Sequence, residues 1–226
     1  MAMRRVRAWF AAEIAWKEGG EASPAKRRGE CSKRISAVPV AALLALSLVL
    51  PPAVGAELEG MRYDDTIRVA GTKLLLNGLG VRAVAVFKGY VAGLYLAKKE
   101  TDAEAVFAQP GAKRIAVRML VAIDSALLAK TFNDGLKKNY RDEELAALKP
   151  RMDAFDAVVR GIGGVKKGDA IDLEFVPARG TQVLVNGAPH GDAIAGEDFY
   201  VALLKMFIGE RAVDKNLRAA LLGKSG

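Results

Sequence analysis

The chain has 226 residues, enough for one domain with a proper core or for two small ones. Its net charge of +8 is uneven: residues 1–56 hold nine Lys/Arg against four Asp/Glu, which leaves 25 cations and 22 acids over residues 57–226. That near balance lacks the basic footprint of a nucleic-acid-binding domain. The one cysteine is Cys31 and the one histidine His190, so residues 57–226 lack the parts for disulfides, thiolate metal sites and the usual histidine-based triads.

Lys33 and Arg34 precede an apolar run, "VPVAALLALSLVL" at 38–50, followed by Pro51, Pro52 and the small residues Gly55 and Ala56. A positive flank, a short apolar region and a small-residue exit are the parts of a secretory signal, so cleavage is expected after Ala56 and the product in the periplasm or outside the cell. The uncharged stretch 37–56 approaches the length of a membrane span. The paired prolines and the exit favour the signal, and no span is expected in the mature chain. Residues 1–32 are too long and too mixed in charge for an ordinary signal. They read as an extended leading region or as the product of a start site set too far upstream. The organisation expected is 1–56 as leader and 57–226 as one folded domain.

From residue 57 onward, 67–69 and 74–76 read as short strands around a Gly71 turn, and "NGLG" at 77–80 reads as a second turn. A long strand is expected over 81–97. "TDAE" at 101–104 has the capping-box spacing and opens a short helix that "QPG" at 109–111 closes. The β-branched run 114–123 is strand. A helix starting at Asp124–Ser125 carries Leu128, Phe132, Leu136 and Tyr140 on one face. A second, from Asp142 to about Val159, carries Leu145, Leu148, Met152, Phe155 and Val159 and should kink or break at Pro150. Strands follow at 169–176 and 181–185. Asn186-Gly187 turns the chain toward a short last strand near His190. Two helices end it, about 196–208 and 214–222, each stopped by a glycine. Strands joined by tight turns, with the helices in groups, predict an α+β domain: an antiparallel sheet covered on one face by helices.

The residues available for chemistry are few. His190 sits in a turn region and reads as solvated. "DEE" at 142–144 opens a helix, where its dipole favours acids, and "GIGG" at 161–164 lacks the strand and helix of a nucleotide fingerprint. No cofactor and no metal are expected. Within the expected long strand, Arg82, Val84, Val86, Lys88 and Tyr90 share one side if no bulge intervenes. An apolar face with cations and a phenol along it suits an amphiphile with an acidic head, because guanidinium binds carboxylate bidentately. The alternative is that Arg82 and Lys88 merely lay their stems on the sheet and their charges in water.

Five stretches in order, "LNGLGVR" (76–82), "FKGYVAGLYLAKK" (87–99), "VKKGDAIDLEFVP" (165–177), "VLVNG" (183–187) and "LLKMFIGERAVDKNLRAALLG" (203–223), resemble the chalcone isomerase-like family, in particular its bacterial secreted members. The resemblance implies an antiparallel sheet under helices with a ligand cleft between them. It also implies either closure of a chalcone to a flavanone or, in non-catalytic relatives, binding of a fatty acid with an arginine on its head. The family's "GVR" arginine falls on Arg82 and its threonine on Tyr90. A tyrosine of the pattern falls near Leu128, an asparagine near Gly135 with Asn133 close by, and a Ser/Thr on Met206, followed by Phe207. An arginine retained among positions turned apolar implies a binding pocket that lacks the carbonyl-polarising donors of the isomerase.

The expectation is an exported protein that binds an apolar carboxylic acid such as a fatty acid. Arg82 holds the head, Tyr90 and Lys88 assist, Asn133 lies nearby, and Leu128, Phe132, Met206 and Phe207 line the tail. Two alternatives stand beside it: an isomerase or intramolecular lyase with Arg82 on an oxyanion and Tyr90 as proton donor, and a structural, partner-binding domain whose cleft is filled by its own side chains.

Overall fold

The computed structural model describes residues 55–84 and 86–224. Cys31 and most of the expected signal lie outside the described residues. A two-stranded hairpin, β1 (Gly55–Leu58) and β2 (Met61–Asp64), comes first and was not foreseen from the sequence. Seven further strands form one antiparallel sheet in chain order: β3 (Thr66–Val69), β4 (Thr72–Val84), β5 (Phe87–Leu96), β6 (Lys113–Met119), β7 (Ala170–Val176), β8 (Gly180–Val185) and β9 (Ala188–Ile194). The tight turns come from residues that tolerate positive φ. Ala70 and Gly71 join β3 to β4, and Asn186 and Gly187 join β8 to β9.

Helix α1 (Ala103–Ala108) follows β5, and its N-cap is Asp102, one residue later than the "TDAE" spacing suggests. Helices α2 (Ser125–Lys138) and α3 (Asp142–Gly161) connect β6 to β7. Helices α4 (Glu197–Ile208) and α5 (Lys215–Leu221) close the chain. The break expected at Pro150 does not occur: α3 runs through it for 20 residues. Pro150 is exposed, so the carbonyl it leaves without an amide partner faces water.

The helices cover one face of the sheet, as expected of an α+β domain. Their buried faces meet Ala92, Leu94 and Leu96 of β5, Ile115 and Val117 of β6 and Leu173 of β7 in the main core. Phe132, Phe155 and Phe199 stack through it, with ring centroids 5.0 and 5.6 Å apart. A second, smaller core lies on the opposite face, where the β1–β2 hairpin places Tyr63 over Val91 and Ala116. The Tyr63 hydroxyl donates to the Val91 carbonyl at 2.9 Å. Beside it Arg114 and Arg118 pair with Asp172 and Glu174 across β6 and β7, so the charges on this face neutralise one another.

Two features of the long central strands depart from the sequence reading. "NGLG" is not a turn but the middle of β4, and the strand expected over 81–97 is divided by a hairpin between Val84 and Phe87. The register explains both. Leu76 pairs with Tyr95 and Gly78 with Leu94, so Asn77 is an extra residue in the ladder. The bulged Asn77 side chain is held by three hydrogen bonds. It donates to the carbonyls of Glu100 (2.9 Å) and Leu221 (2.8 Å) and accepts from the Glu100 amide (2.7 Å).

Candidate functional site

The bulge at Asn77 determines which face of the sheet receives Arg82. Leu74 and Leu76 point into the smaller core. One added residue inverts the alternation, so Gly78, Gly80 and Arg82 all point toward the helices. The two glycines are required because α5 lies directly on them. A Cβ on Gly78 would stand 2.1 Å from the Ala220 carbonyl oxygen, and one on Gly80 would stand 2.7 Å from the Ala220 Cβ. The stretch "NGLGVR" is thus one device: a bulge, a bare seat for α5, and an arginine at the end of that seat.

At that end Arg82 meets the start of α5. Its Nη1 donates to Oδ2 of Asp214 at 3.2 Å and to the Ala83 carbonyl at 2.7 Å. Asp214 uses its other oxygen as the N-cap of α5, accepting from the amides of Asn216 (2.8 Å) and Leu217 (3.0 Å). The guanidinium therefore engages this acid through a single nitrogen. Its Nε–Nη2 edge makes no hydrogen bond to the described residues.

Tyr90 stands directly opposite Arg82 in the register, on the same face, and packs against the main core. Burial pushes its phenol well above the ordinary range, Arg82 pulls in the other direction, and Asp214 adds to the rise. Tyr90 is accordingly a neutral hydrogen-bond donor at any physiological pH, and its hydroxyl makes no hydrogen bond to the described residues. A guanidinium edge and a neutral phenol are both donors of the kind a carboxylate accepts from.

The other residues singled out in the sequence divide into two groups. Leu128, Phe132, Met206 and Phe207 are all buried in the main core on the inner faces of α2 and α4. Met206 packs onto the backbone of Gly135, near which, as near Asn133, the resemblance places the family's asparagine. Lys88 and Asn133 are carried away from Arg82. Gly89 is a second extra residue, since Arg82 pairs with Tyr90 but Ala83 with Lys88, and Lys88 leaves on the opposite face to meet Glu59 at 2.7 Å. Asn133 lies on the side of α2 that meets α3, where it donates to Asp156 at 2.7 Å. His190 borders a groove of about 630 Å³ between α3 and β9, far in the topology from Arg82. Sequence reasoning missed Asp214, whose place before a helix marked only a cap. It also missed the role of Gly78 and Gly80, whose two-residue spacing is the period of one strand face.

The family model described as chalcone isomerase-like matches residues 55–223. The chain belongs to the chalcone isomerase-like family. This is the family whose order of motifs the sequence displays, and the sheet-and-helix arrangement is its fold. No curated protein matches the sequence. Among solved structures, the chain is similar to a fatty-acid binding protein of Arabidopsis thaliana, with a TM-score of 0.56 at 16% identity over 72% of this chain and 92% of that one. At that identity the likeness is one of fold. Within the family's framework, Arg82, Tyr90 and Asp214 are the polar groups that the β4–β5 ladder and α5 bring together.

Proposed function

We propose that this protein binds an apolar carboxylic acid such as a fatty acid, with the carboxylate on Arg82. The observation that carries the reading is the Nε–Nη2 edge of Arg82 opposite Tyr90, neither that edge nor the Tyr90 hydroxyl making a hydrogen bond to the described residues. The acid takes the edge bidentately and accepts a third hydrogen bond from Tyr90. Its chain runs inward between sheet and helices, along Leu128, Phe132 and Phe207. Met206 is the side chain that must move to admit it, and a thioether with three rotatable bonds does so at low cost. The fold shared with a plant fatty-acid binding protein supports this reading.

The test is titration of wild type and Arg82→Ala with a long-chain fatty acid, read by native mass spectrometry. Loss of a hydrogen-bonded charge contact of about 1.5–3 kcal/mol weakens binding by about ten- to a hundredfold. Equal affinity in the two proteins, with both folded, refutes the assignment.

A second reading is favoured by one observation. The space at Gly135 is filled by Met206, as it would be in a structural domain that has closed its cleft and serves a protein partner. Absence of binding across fatty acids and flavonoids, in wild type and in Met206→Ala alike, selects it.

We also propose export through the signal at 33–56. The pattern of cations, apolar run and small-residue exit supports it. Gly55 and Ala56 pair with Asp64 and Tyr63 in β1, so cleavage after Ala56 leaves only Glu57 and Leu58 of that strand. N-terminal sequencing of protein recovered from the periplasm tests the position. A start upstream of residue 33 there would overturn the cleavage.

A further inference from the structure

Beside Arg82 the helix side of the sheet is closed at its border by one short element. β3 pairs with β4 from Thr72 to Leu75, so from Gly78 onward β4 is the last strand on that side among the described residues. Helix α5 lies along this stretch, on the bare backbone of Gly78 and Gly80. It sends Leu217, Leu221 and, just past its end, Leu222 into the main core. What separates that core from the border of the sheet here is therefore α5. Its 7 residues make too little helix to persist alone in water, so its place depends on its attachments.

Polar contacts fasten α5 at its start, its end and its middle. Asp214 accepts from Arg82 at 3.2 Å, the Leu221 carbonyl accepts from Asn77 at 2.8 Å, and Arg218 Nε donates to the Ile208 carbonyl of α4 at 2.9 Å. The first contact is shared with the proposed ligand. The side chains of Arg82 and Asp214 are only 26 and 13% exposed, so the pair is largely out of water. An acid on the Nε–Nη2 edge of Arg82 puts a second carboxylate on the one guanidinium, and a single cation cannot compensate both anions. Asp214 is the one that can withdraw without loss of the ligand, because it belongs to a short helix joined to α4 by the loop 209–213. That loop ends on Met206, whose carbonyl accepts from the Val213 amide at 3.0 Å, so the hinge adjoins the side chain that must move for the tail.

We propose that α5 is the lid of the acid site and that the ligand itself releases it: the carboxylate displaces Asp214 from Arg82, and α5 loosens along the border of the sheet. The inference rests on the acid reading of Arg82 and adds to it a route of entry and a coupling. Because such coupling is reciprocal, a contact that holds α5 down weakens affinity for the acid by the same factor by which the acid loosens α5.

The experiment is hydrogen exchange of the full chain, read by mass spectrometry, with and without cis-parinaric acid, a fluorescent long-chain acid whose binding is titrated in the same samples. Saturating acid should speed exchange of the amides of 215–222 by about fivefold or more, the low end of ordinary coupling, while those of β5 and β6 do not speed up. Asp214→Asn keeps a cap and removes the second anion, so the acid should no longer speed α5 in that variant. Arg218→Met loses the tie to Ile208 and should raise the association and dissociation rates of the acid together, by about two- to tenfold. Three results overturn the lid and leave the acid reading standing: binding with α5 slowed or unchanged in wild type, equal acceleration in Asp214→Asn, and rates unmoved by Arg218→Met. No binding of the acid by wild type overturns both.

Discussion

The side chain of Met206 lies against the bare Cα of Gly135, so closely that a Cβ there would stand 2.4 Å from both its Cγ and its Sδ. One residue of α4 and one absent side chain of α2 thus decide together how closely these two helices approach. Met206→Ala should cost about 2–5 kcal/mol in urea unfolding, the usual range for a large-to-small change in a core. If the tail of an acid occupies this space, the same variant binds a long-chain fatty acid at least as tightly as wild type despite its lower stability. A parallel loss of stability and affinity would place the tail elsewhere.

Gly80→Ala should detach α5. The added methyl would lie 2.7 Å from the Ala220 Cβ and 3.1 Å from Leu217 Cδ1, and overpacking of that kind costs about 1–3 kcal/mol. Hydrogen exchange of the amides of α5 is the direct measurement, and these should lose protection before those of the central strands. Gly89→Ala is the control: its nearest neighbour, the Arg82 carbonyl oxygen, would be 3.7 Å away, so little should change.

Asp214→Asn separates the two duties of that side chain. Asparagine is as good an N-cap as aspartate, so α5 should keep its start and the melting temperature should move little. The negative charge that shares Arg82 is removed, and affinity for a carboxylate should rise. Asp214→Ala should lose the cap as well, at about 1 kcal/mol. A fall in carboxylate affinity in the Asn variant would show that Asp214 orients the guanidinium rather than competing for it.

The pairing of α2 with α3 should show in acid. Arg160, opposed by burial and helped by Asn133, holds the Asp156 carboxyl below its ordinary range. A carboxylate depressed in the folded state contributes stability above its unfolded pKa and loses it as pH falls through the lower folded value. Stability measured from about pH 5 down to about pH 2 should therefore fall less steeply in Asp156→Asn than in wild type. Asn133→Ala should show an intermediate slope. Identical slopes would mean that the pair contributes nothing in solution, as for many exposed ion pairs.

Much of the architecture was legible in the sequence because it is local. The apolar faces of α2 and α3 follow from a 3.6-residue period, the β8–β9 turn from the positive φ that Asn186 and Gly187 accept, and the helix ends from glycines and capping acids. Arg82 could be singled out for the same reason: a charge within an apolar strand is anomalous wherever the strand lies. Its facing could not be read, because side-chain alternation is counted from the nearest bulge, and a bulge forms only in relation to a partner. Asn77 is stabilised in its bulge by Glu100 and by Leu221, 144 residues away, and Gly89 is extra only because Ala83 pairs with Lys88. The turn between Val84 and Phe87 has no glycine, asparagine or proline at its ends to announce it. Local periodicity therefore determined the helices and most strands and marked Arg82 together with Lys88, and the family resemblance pointed to Arg82. Tertiary packing alone decided that Arg82, Tyr90 and Asp214 meet while Lys88 and Asn133 do not, since pairing and helix docking set which way each strand face points.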